Sequence, residues 1–407
     1  MQRPLGSPWG RRPSVLLIDP RRMGHHAPTG RGVWPALRRP PARSARRRPT
    51  TARPYNPPLP GVSPMRRTFI ALSAALALPI VASTAAGDRP LPAPPRIGEA
   101  APKARTEGAI RLATFNLENL FDGRDDPSKA GEAEDIDDTK PEPQRAALAT
   151  IIRALDADII ALQEIESYDA LVEFREQHLK GLGYDHLMSI DVGEERGIEN
   201  AVISRFPITE ARVWPNLALG GVHPDLWTDK PNKYAGQPLE MRRSPLFVTV
   251  QVPAGAAGND APYSLSLFVV HHKSGRGNEY WREAEAGGVL ALVQELQRAD
   301  PARNIAVLGD FNATPDDRSV RLYLDAGLAD LHAERPTDQR GMTHASERVI
   351  DFILVNDNLK KEVAVGSAFV LGTPQLPREA DWRTAPKPQG YASDHAPVVA
   401  DLTPQDR

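Results

Sequence analysis

Six apolar segments of this sequence end at, or begin beside, side chains that can do acid–base or metal chemistry. IRLATFN ends at Asn116, with Glu118 two positions later, and DIIALQ is followed by Glu164. The other polar residues in such places are His271, His272, Asp310, Asn312, Asp351, Asp394 and His395. A single carboxylate or histidine at a strand end is more often a turn, cap or hydrogen-bonded structural residue. Their recurrence at six segment ends predicts one shared site.

The side-chain types indicate the chemistry of this site. Carboxylate and amide oxygens, in a chain with no cysteine, suit one or two Mg²⁺, Mn²⁺ or Ca²⁺ ions better than structural zinc. The sequence contains neither a G-x-x-x-x-G-K-[ST] phosphate loop nor a G-x-S-x-G nucleophile elbow. We therefore expect hydrolysis by a water molecule that a metal or a base activates.

Strand-like segments must position these side chains. Short β-branched runs bounded by turn residues predict strands at 110–116, 158–163, 200–204, 246–252, 265–270, 305–308, 349–355 and 397–402. Apolar periodicity predicts helices around 148–155 and 286–296, although Gly287 and Gly288 weaken the second. Many strands with interspersed helices predict a layered α/β or α+β domain.

Two further segments are expected to be loops. Residues 215–238 contain Gly, Pro, His and Trp, and residues 122–143 are strongly acidic. An acidic run is usually a solvated loop, with cation binding as the alternative.

The N-terminal part of the chain has a different composition. Residues 1–64 are rich in Arg and Pro without apolar periodicity, which predicts disorder. Residues 65–87 contain two arginines, a short apolar run and small residues, as in a signal peptide, with a membrane anchor or a buried helix as alternatives. Residues 88–106 form a Pro/Ala linker. The signal peptide predicts export to the periplasm or medium, and it favours Met65 as initiator with residues 1–64 untranslated.

Removing this region changes the charge. The whole chain has 50 basic and 52 acidic residues, of which residues 1–87 hold 15 Arg and one Asp. The remainder therefore has 35 basic and 51 acidic residues, a net charge of about −16. Because acidity opposes non-specific binding to a phosphate backbone, a nucleic-acid substrate needs a local basic groove or a metal.

The motifs TFNLENLFD, LQEIES, GIENAVISR, VVHHKS, VLGDFNATP, VIDFILV and SDHAPV occur in this order. Over residues 107–404 the sequence resembles the endonuclease/exonuclease/phosphatase superfamily, especially its exported bacterial nucleases with a deoxyribonuclease-like fold. The resemblance implies a four-layer α/β/β/α sandwich of two mixed β-sheets flanked by helices, with the site at one edge of the sheets.

The resemblance also implies roles for the polar residues. Glu164 is expected to be the main metal ligand, supported by Asn116, Glu118 and Asp394. Glu118 stands where many members carry Asp, which leaves its direct contact with the metal open.

The resemblance assigns the proton chemistry to a second group of residues. His395, oriented by Asp351, would act as base or stabilise phosphorane-like charge. His271 would donate a proton or hold phosphate. Asp310 and Asn312 would position water and a phosphate oxygen, or hold a second metal. The remaining expected contacts to substrate phosphate are Arg243 and Lys273.

Three functions remain after these considerations. The first is a nuclease acting on DNA or RNA, expected to be a monomer without stable membrane association after signal removal. The second is an exported phosphodiesterase or phosphatase acting on a lipid head group or a small phosphate ester. The third, a catalytically inactive binding module, conflicts with the presence of Glu164, Asp310, Asn312, Asp394 and His395.

Overall fold

The computed structural model describes residues 97–124 and 138–404. The predictions for residues 1–64 and 65–87 lie outside the described residues, as do residues 88–96 of the linker predicted at 88–106 and part of the acidic segment 122–143.

The described chain alternates strands with a few helices. The strands are β1 (Ile110–Leu120), β2 (Ile159–Ile165), β3 (His186–Ser189), β4 (Glu199–Ser204), β5 (Ile208–Arg212), β6 (Ala218–Val222), β7 (Leu226–Trp227), β8 (Lys230–Pro231), β9 (Pro238–Glu240), β10 (Leu246–Val252), β11 (Tyr263–His271), β12 (Asn304–Asp310), β13 (Ala329–Asp330), β14 (Asp351–Val355), β15 (Phe369–Val370) and β16 (Val398–Leu402). The α-helices are α1 (Glu142–Leu155), α2 (Tyr168–His178), α3 (Glu279–Ala299), α4 (Arg318–Asp325) and α5 (Asp357–Lys360).

Two six-stranded sheets form the centre of the fold. The first has the strand order β15-β16-β1-β2-β4-β3, and the second has the order β13-β14-β12-β11-β10-β5. The pairs β1–β2 and β11–β12 are parallel, and the other neighbours are antiparallel. Both sheets are therefore mixed, as predicted.

Three apolar layers hold the sheets and helices together. Leu112 and Val202 of the first sheet pack against Val248 and Leu267 of the second, so the two sheets share an inner core. The outer face of the first sheet is covered by α1 and α2, for example through Leu148 and Phe174. The outer face of the second sheet is covered by α3 and α4, for example through Val289 and Val320. The predicted four-layer α/β/β/α sandwich is confirmed.

The insertion 215–238 is more ordered than the predicted loop. It contains the short strands β6, β7 and β8 and the start of β9, which pair as β6–β9 and β7–β8. Its base packs on α3 at Gly288, where an added Cβ would lie 2.7 Å from Cδ2 of Leu219. Gly288 therefore allows close packing, which outweighs its low helix propensity. Among the described residues, none of the helices is long and apolar enough to cross a membrane.

Candidate active site

The polar strand ends meet at one edge of the sandwich. Strands β1, β2, β11 and β12 all end there. Because β14 and β16 run antiparallel to β12 and β1, their first residues lie at the same edge. In the register of the second sheet, Asp310 is paired with His271 on one side and with Asp351 on the other. The structure thus brings the predicted residues of six strands together.

The backbone at this edge departs from regular strand geometry. Glu118 (φ 52°), Glu164 (φ 63°) and Asn312 (φ 49°) adopt the left-handed conformation, which side chains other than Gly rarely adopt. The β1–β2 register also shifts between Asn116 and Leu120. Such positions persist only where the surrounding structure holds them, and they concentrate at functional sites.

Asn116 connects the two sheets at the floor of the site. Its Nδ2 donates to Oδ2 of Asp310 at 3.1 Å and to Oε1 of Glu164 at 3.4 Å. Its Oδ1 accepts the backbone N–H of Glu118 at 3.0 Å. The second carboxylate oxygen of Glu164 accepts the backbone N–H of Asn119 at 3.0 Å. These bonds fix the orientation of the Glu164 carboxylate.

His395 is held by a carboxylate pair. Its Nδ1 lies 2.9 Å from Oδ2 of Asp351, and its Nε2 lies 3.8 Å from Oδ2 of Asp310. Burial opposes a charge on His395, but the neighbouring carboxylates Asp351 and Asp310 raise its pKa well above the ordinary value. The bond to Asp351 places an Nδ1 proton, so Nε2 is directed toward Asp310.

Asp310 lies between two imidazoles. Its Oδ2 is 3.6 Å from Nε2 of His271, while burial and the charge of Asp351 raise the pKa of Asp310 to about 6. Burial and the charge of Arg243 hold the pKa of His271 well below its ordinary value. His271 is therefore a neutral imidazole, and Asp310 is a carboxylate easily protonated.

Asn312 supports Asp310 from the following turn. Its backbone N–H donates to Oδ1 of Asp310 at 2.7 Å, and its Nδ2 donates to Oδ2 at 3.1 Å. Nδ2 also donates to the carbonyl oxygen of His272 at 3.1 Å. In this geometry the backbone N–H and the amide nitrogen of Asn312 hold Asp310.

The carboxylates of Glu118, Glu164 and Asp394 and the amide oxygen of Asn116 are donors of the type that a hard divalent cation prefers. Burial and the charge of Asp394 raise the pKa of Glu118, whereas Lys140 and Lys387 act in the opposite direction, the latter with its Nζ 3.3 Å from Oε1. Oε2 of Glu118 is buried with no hydrogen-bond partner among the described residues. A carboxylate oxygen in that state is a suitable metal ligand.

Among the described residues, two triads have ligand atoms within 4.8 Å of one another, and neither contains Glu118 or Glu164. One comprises Asp310, Asp351 and His395, and the other comprises His344, Asp394 and His395. The Asp310 triad offers carboxylate oxygens to a second metal ion, whose presence the sequence analysis left open. The other triad includes His344, which the sequence analysis did not predict.

His344 is the functional candidate that the sequence reasoning missed. Its Nε2 lies 3.2 Å from Oδ2 of Asp394, and its ring packs edge-on against His395 with centroids 4.6 Å apart. Its Nδ1 accepts the backbone N–H of Ser346 at 3.0 Å, so Nε2 carries a proton and donates it to Asp394. Although burial acts in the opposite direction, this bond and the charge of His395 lower the pKa of Asp394.

The expected phosphate contacts lie on the other side of the site. Arg243 is buried, with NH1 3.4 Å from the His272 carbonyl oxygen and Nε 3.7 Å from Oε1 of Glu194. Burial and the charge of Arg243 lower the pKa of Lys273 to about 8. His272 points away from His271, toward Glu285 at 3.3 Å and Tyr323 at 3.0 Å. It therefore packs in the layer of α3 and α4, as strand alternation predicts.

A model of the endonuclease/exonuclease/phosphatase family matches residues 113–395, which is more than half of the chain. The chain belongs to the endonuclease/exonuclease/phosphatase family. Members of this family are phosphoester hydrolases, and they generally depend on divalent metals. All the predicted site residues, from Asn116 to His395, lie within the matched region.

Solved structures of this family are similar to the chain. One is the catalytic domain of human nocturnin with bound sulfate (16% identity, 73% of this chain and 95% of that chain, TM-score 0.46). Others are a family protein (20%, 72% and 97%, 0.45) and a mannosyl-6-phosphatase (18%, 72% and 99%, 0.45), both from Bacteroides thetaiotaomicron. No curated protein sequence matches the chain.

Proposed function

We propose that this chain is a Mg²⁺-dependent phosphodiesterase that hydrolyses nucleic acid. The observation that carries the proposal is the position of Asp310, whose Oδ2 lies 3.6 Å from Nε2 of His271 and 3.8 Å from Nε2 of His395. A carboxylate in this position can accept a proton from water. The neighbouring cationic and hydrogen-bonding groups can hold the phosphate at the same time.

We assign the following catalytic roles to the residues of the site. Asp310, held by Asn312, accepts the proton of the attacking water. His395, protonated and oriented by Asp351, stabilises the charge that develops on the phosphate, and it gives its Nε2 proton to the leaving oxygen as the bond of that oxygen to phosphorus breaks. His271 holds a phosphate oxygen. A bound Mg²⁺ would supply further positive charge to the phosphate oxygens, held by Glu164, Asn116, Glu118 and Asp394.

We infer that two cavities, one beside Glu118 and Asp394 and one beside Glu194, which contacts Arg243, receive the two substituents of a diester. One contains Glu118, His344 and Asp394, on the β15–β16 side of the first sheet. The other contains Glu194 and Arg242, near the β3–β4 side of the same sheet. A phosphate with a substituent on each side can use both cavities, whereas a terminal phosphate can use only one.

A substrate panel tests the proposal. Supercoiled plasmid, single-stranded RNA, a nucleotide monophosphate and sphingomyelin vesicles should be incubated separately with the wild-type protein, Mg²⁺ and a His395→Ala control. We expect cleavage of plasmid or RNA that His395→Ala abolishes. Turnover of only the monophosphate or the vesicles would reject the nuclease.

One observation favours a second candidate, a phosphodiesterase acting on lipid head groups. Three large apolar residues of the insertion 215–238 are exposed, namely Val222, Leu226 and Trp227. Exposed apolar side chains on a hairpin are typical of interfacial binding, and the vesicle arm of the panel tests this candidate.

We also propose that the protein is exported, on the basis of the signal-like residues 65–87. N-terminal sequencing of the protein expressed from its own gene tests this. A mature N-terminus near residue 88 is expected, whereas a mature protein that begins before Met65 would contradict it.

A further inference from the structure

A cavity of about 380 Å³ opens beside the proposed metal ligands. It lies next to Glu118 and Asp394, and its outer wall is formed by the segment between β15 and β16. We name it the Trp382 cavity; the wall residues used below are Gln375, Leu376, Pro377, Trp382, Lys387 and Tyr391. Its volume falls in the range of pockets that hold small organic groups.

The wall contains an aromatic side chain that is largely exposed. Trp382 is 62% exposed, and it is one of five large apolar residues with such exposure in the described chain. The guanidinium of Arg383 lies 4.5 Å from the centre of its ring. Leu376 and Pro377 extend the apolar surface of the cavity. A wall of this kind suits a flat, apolar ligand, since aromatic groups prefer to stack on one another.

Gln375 adds a hydrogen-bond acceptor in a fixed orientation. Its Nε2 donates to Oγ1 of Thr373 at 2.8 Å and to the carbonyl oxygen of Ser393 at 2.9 Å. Its Oε1 has no hydrogen-bond partner among the described residues. A buried acceptor without a partner is unfavourable unless a ligand or water provides a donor. The cavity therefore suits a flat ligand that also carries an N–H group.

Lys387 joins the cavity to the proposed metal site. Its Nζ lies 3.3 Å from Oε1 of Glu118 and 3.2 Å from the hydroxyl oxygen of Tyr391. The Lys387 ammonium group can therefore form a charge-assisted hydrogen bond with a phosphate that is attached to a ligand in the cavity and lies at the metal site. The ligand is thus flat, bears N–H donors and is attached to phosphate.

We propose that the Trp382 cavity binds the nucleobase on one side of the scissile phosphate, stacked on Trp382 and hydrogen-bonded to Gln375. This inference rests on the proposed nuclease function. An acyl chain would leave the Gln375 oxygen without a donor, and the exposed apolar hairpin of the insertion lies by the other cavity. The occupant is therefore a base rather than a lipid tail.

The test uses a single-stranded hexanucleotide with one central phosphodiester and methylphosphonates elsewhere, in the sugar type that the substrate panel identifies. Two further oligonucleotides replace the nucleoside 5′ or 3′ to the cleavable bond by tetrahydrofuran, which has no base. For the wild-type protein, kcat/KM should fall about tenfold with one of the two replacements, the scale of losing one base–aromatic stack.

The variant Trp382→Ala should lose this discrimination, so that the intact and base-free oligonucleotides differ by less than twofold. Trp382→Phe should retain most of it, because a smaller ring still stacks. Val365→Ala is the matched control, since Val365 is fully exposed near the opposite end of β16 and should behave as wild type. Because Trp382 is exposed, the variants should fold, and circular dichroism checks this.

The failures of the two proposals are distinguishable. If removal of the base lowers kcat/KM by the same factor in wild type and Trp382→Ala, the cavity does not bind a base. The proposed nuclease function is not affected by this result. If the wild-type protein cleaves none of the nucleic acids, the nuclease proposal fails and the base cavity fails with it.

Discussion

Asp310 and Asp351 are directly opposed in the antiparallel pair β12–β14, and His395 lies against both carboxylates, 3.8 Å from the first and 2.9 Å from the second. Asp351 binds Nδ1 of the imidazole while Asp310 faces Nε2. One carboxylate therefore orients the ring, and the other lies on its Nε2 side.

Removing the imidazole should therefore abolish most turnover. We expect His395→Ala and Asp310→Ala each to lower kcat by at least about 10²-fold, the scale of a lost acid–base group. Asp351→Asn should lower kcat in the same direction, because the ring loses its orientation. Steady-state kinetics on the preferred substrate measure the effect, with circular dichroism as the folding control. Turnover of His395→Ala within a few-fold of wild type would refute the assignment.

Metal removal should also stop the reaction. Excess chelator should abolish activity, and Mg²⁺ or Mn²⁺ should restore it, because the proposed ligands are carboxylate and amide oxygens. Glu164→Ala should raise the metal concentration needed for half-maximal activity. Titration of activity with Mg²⁺ tests both statements. Full activity in excess chelator would count decisively against a metal enzyme.

His344 should act through Asp394 rather than on substrate directly. Its Nε2 donates to Asp394, and loss of such a partner to a metal ligand typically weakens metal affinity or activity by about 10- to 100-fold. We expect His344→Ala to raise the Mg²⁺ requirement by this factor. His344→Gln, whose amide nitrogen can reach a similar position to Nε2, should restore much of the affinity. Equal Mg²⁺ requirements of wild type and His344→Ala would show that the contact is dispensable.

Binding of duplex DNA should depend only shallowly on salt. Each neutralised phosphate contributes a slope of about −0.9 in a plot of log K against log salt, and we expect two or three contacts. Residues 88–407 are acidic overall, and the Arg243 side chain is engaged by Glu194. The measurement is binding of duplex DNA to Asp310→Ala across salt concentrations, with Ca²⁺ in place of Mg²⁺. A slope that implies six or more phosphates would reveal an extended basic groove.

Acid should destabilise the fold through His332. Burial lowers the pKa of this histidine from 6.5 to about 4, and its Nε2 bonds to the Phe369 carbonyl oxygen at 3.0 Å. The unfolded chain binds a proton at higher pH than the folded chain does. The contribution of His332 to stability is therefore complete above pH 6.5 and is lost as the pH falls toward 4, by about 3 kcal/mol.

Urea denaturation at pH 7 and pH 4.5 measures the His332 effect. We expect the free energy of unfolding to fall less between these pH values in His332→Gln than in wild type, because Gln does not titrate. An equal decrease in both proteins would exclude His332 as a contributor.

Much of the fold could be predicted from the apolar pattern alone. The eight predicted strands all exist, because each is a β-branched run buried on at least one face, and β10 (Leu246–Val252) has the predicted bounds. The short strands of the insertion 215–238 were missed, since they are exposed and carry little apolar periodicity. Helix α2 (Tyr168–His178) was also missed, because it buries only three residues.

Most of the site residues could also be predicted from the apolar pattern, because they lie at the ends of buried strands. The residues that were missed lie outside such strands. His271, Asp310 and Asp351 lie at the ends of buried runs, where a sequence pattern can show them. His344 does not lie at the end of a buried strand. It contacts Asp394, which is 50 residues away in the sequence, only because of the tertiary fold. Trp382 lies in an irregular segment, where no periodicity indicates which residues line a cavity.

The left-handed backbone at Glu118, Glu164 and Asn312 has a consequence for engineering. Glycine would adopt these conformations without a steric penalty, so a screen for thermal tolerance alone would select it wherever this relief exceeds the loss of the side chain's hydrogen bonds. Each such gain would delete a carboxylate or amide on which the proposed chemistry depends. Improved variants should therefore be sought at other positions, and any that arise at this edge should be assayed for turnover before being retained.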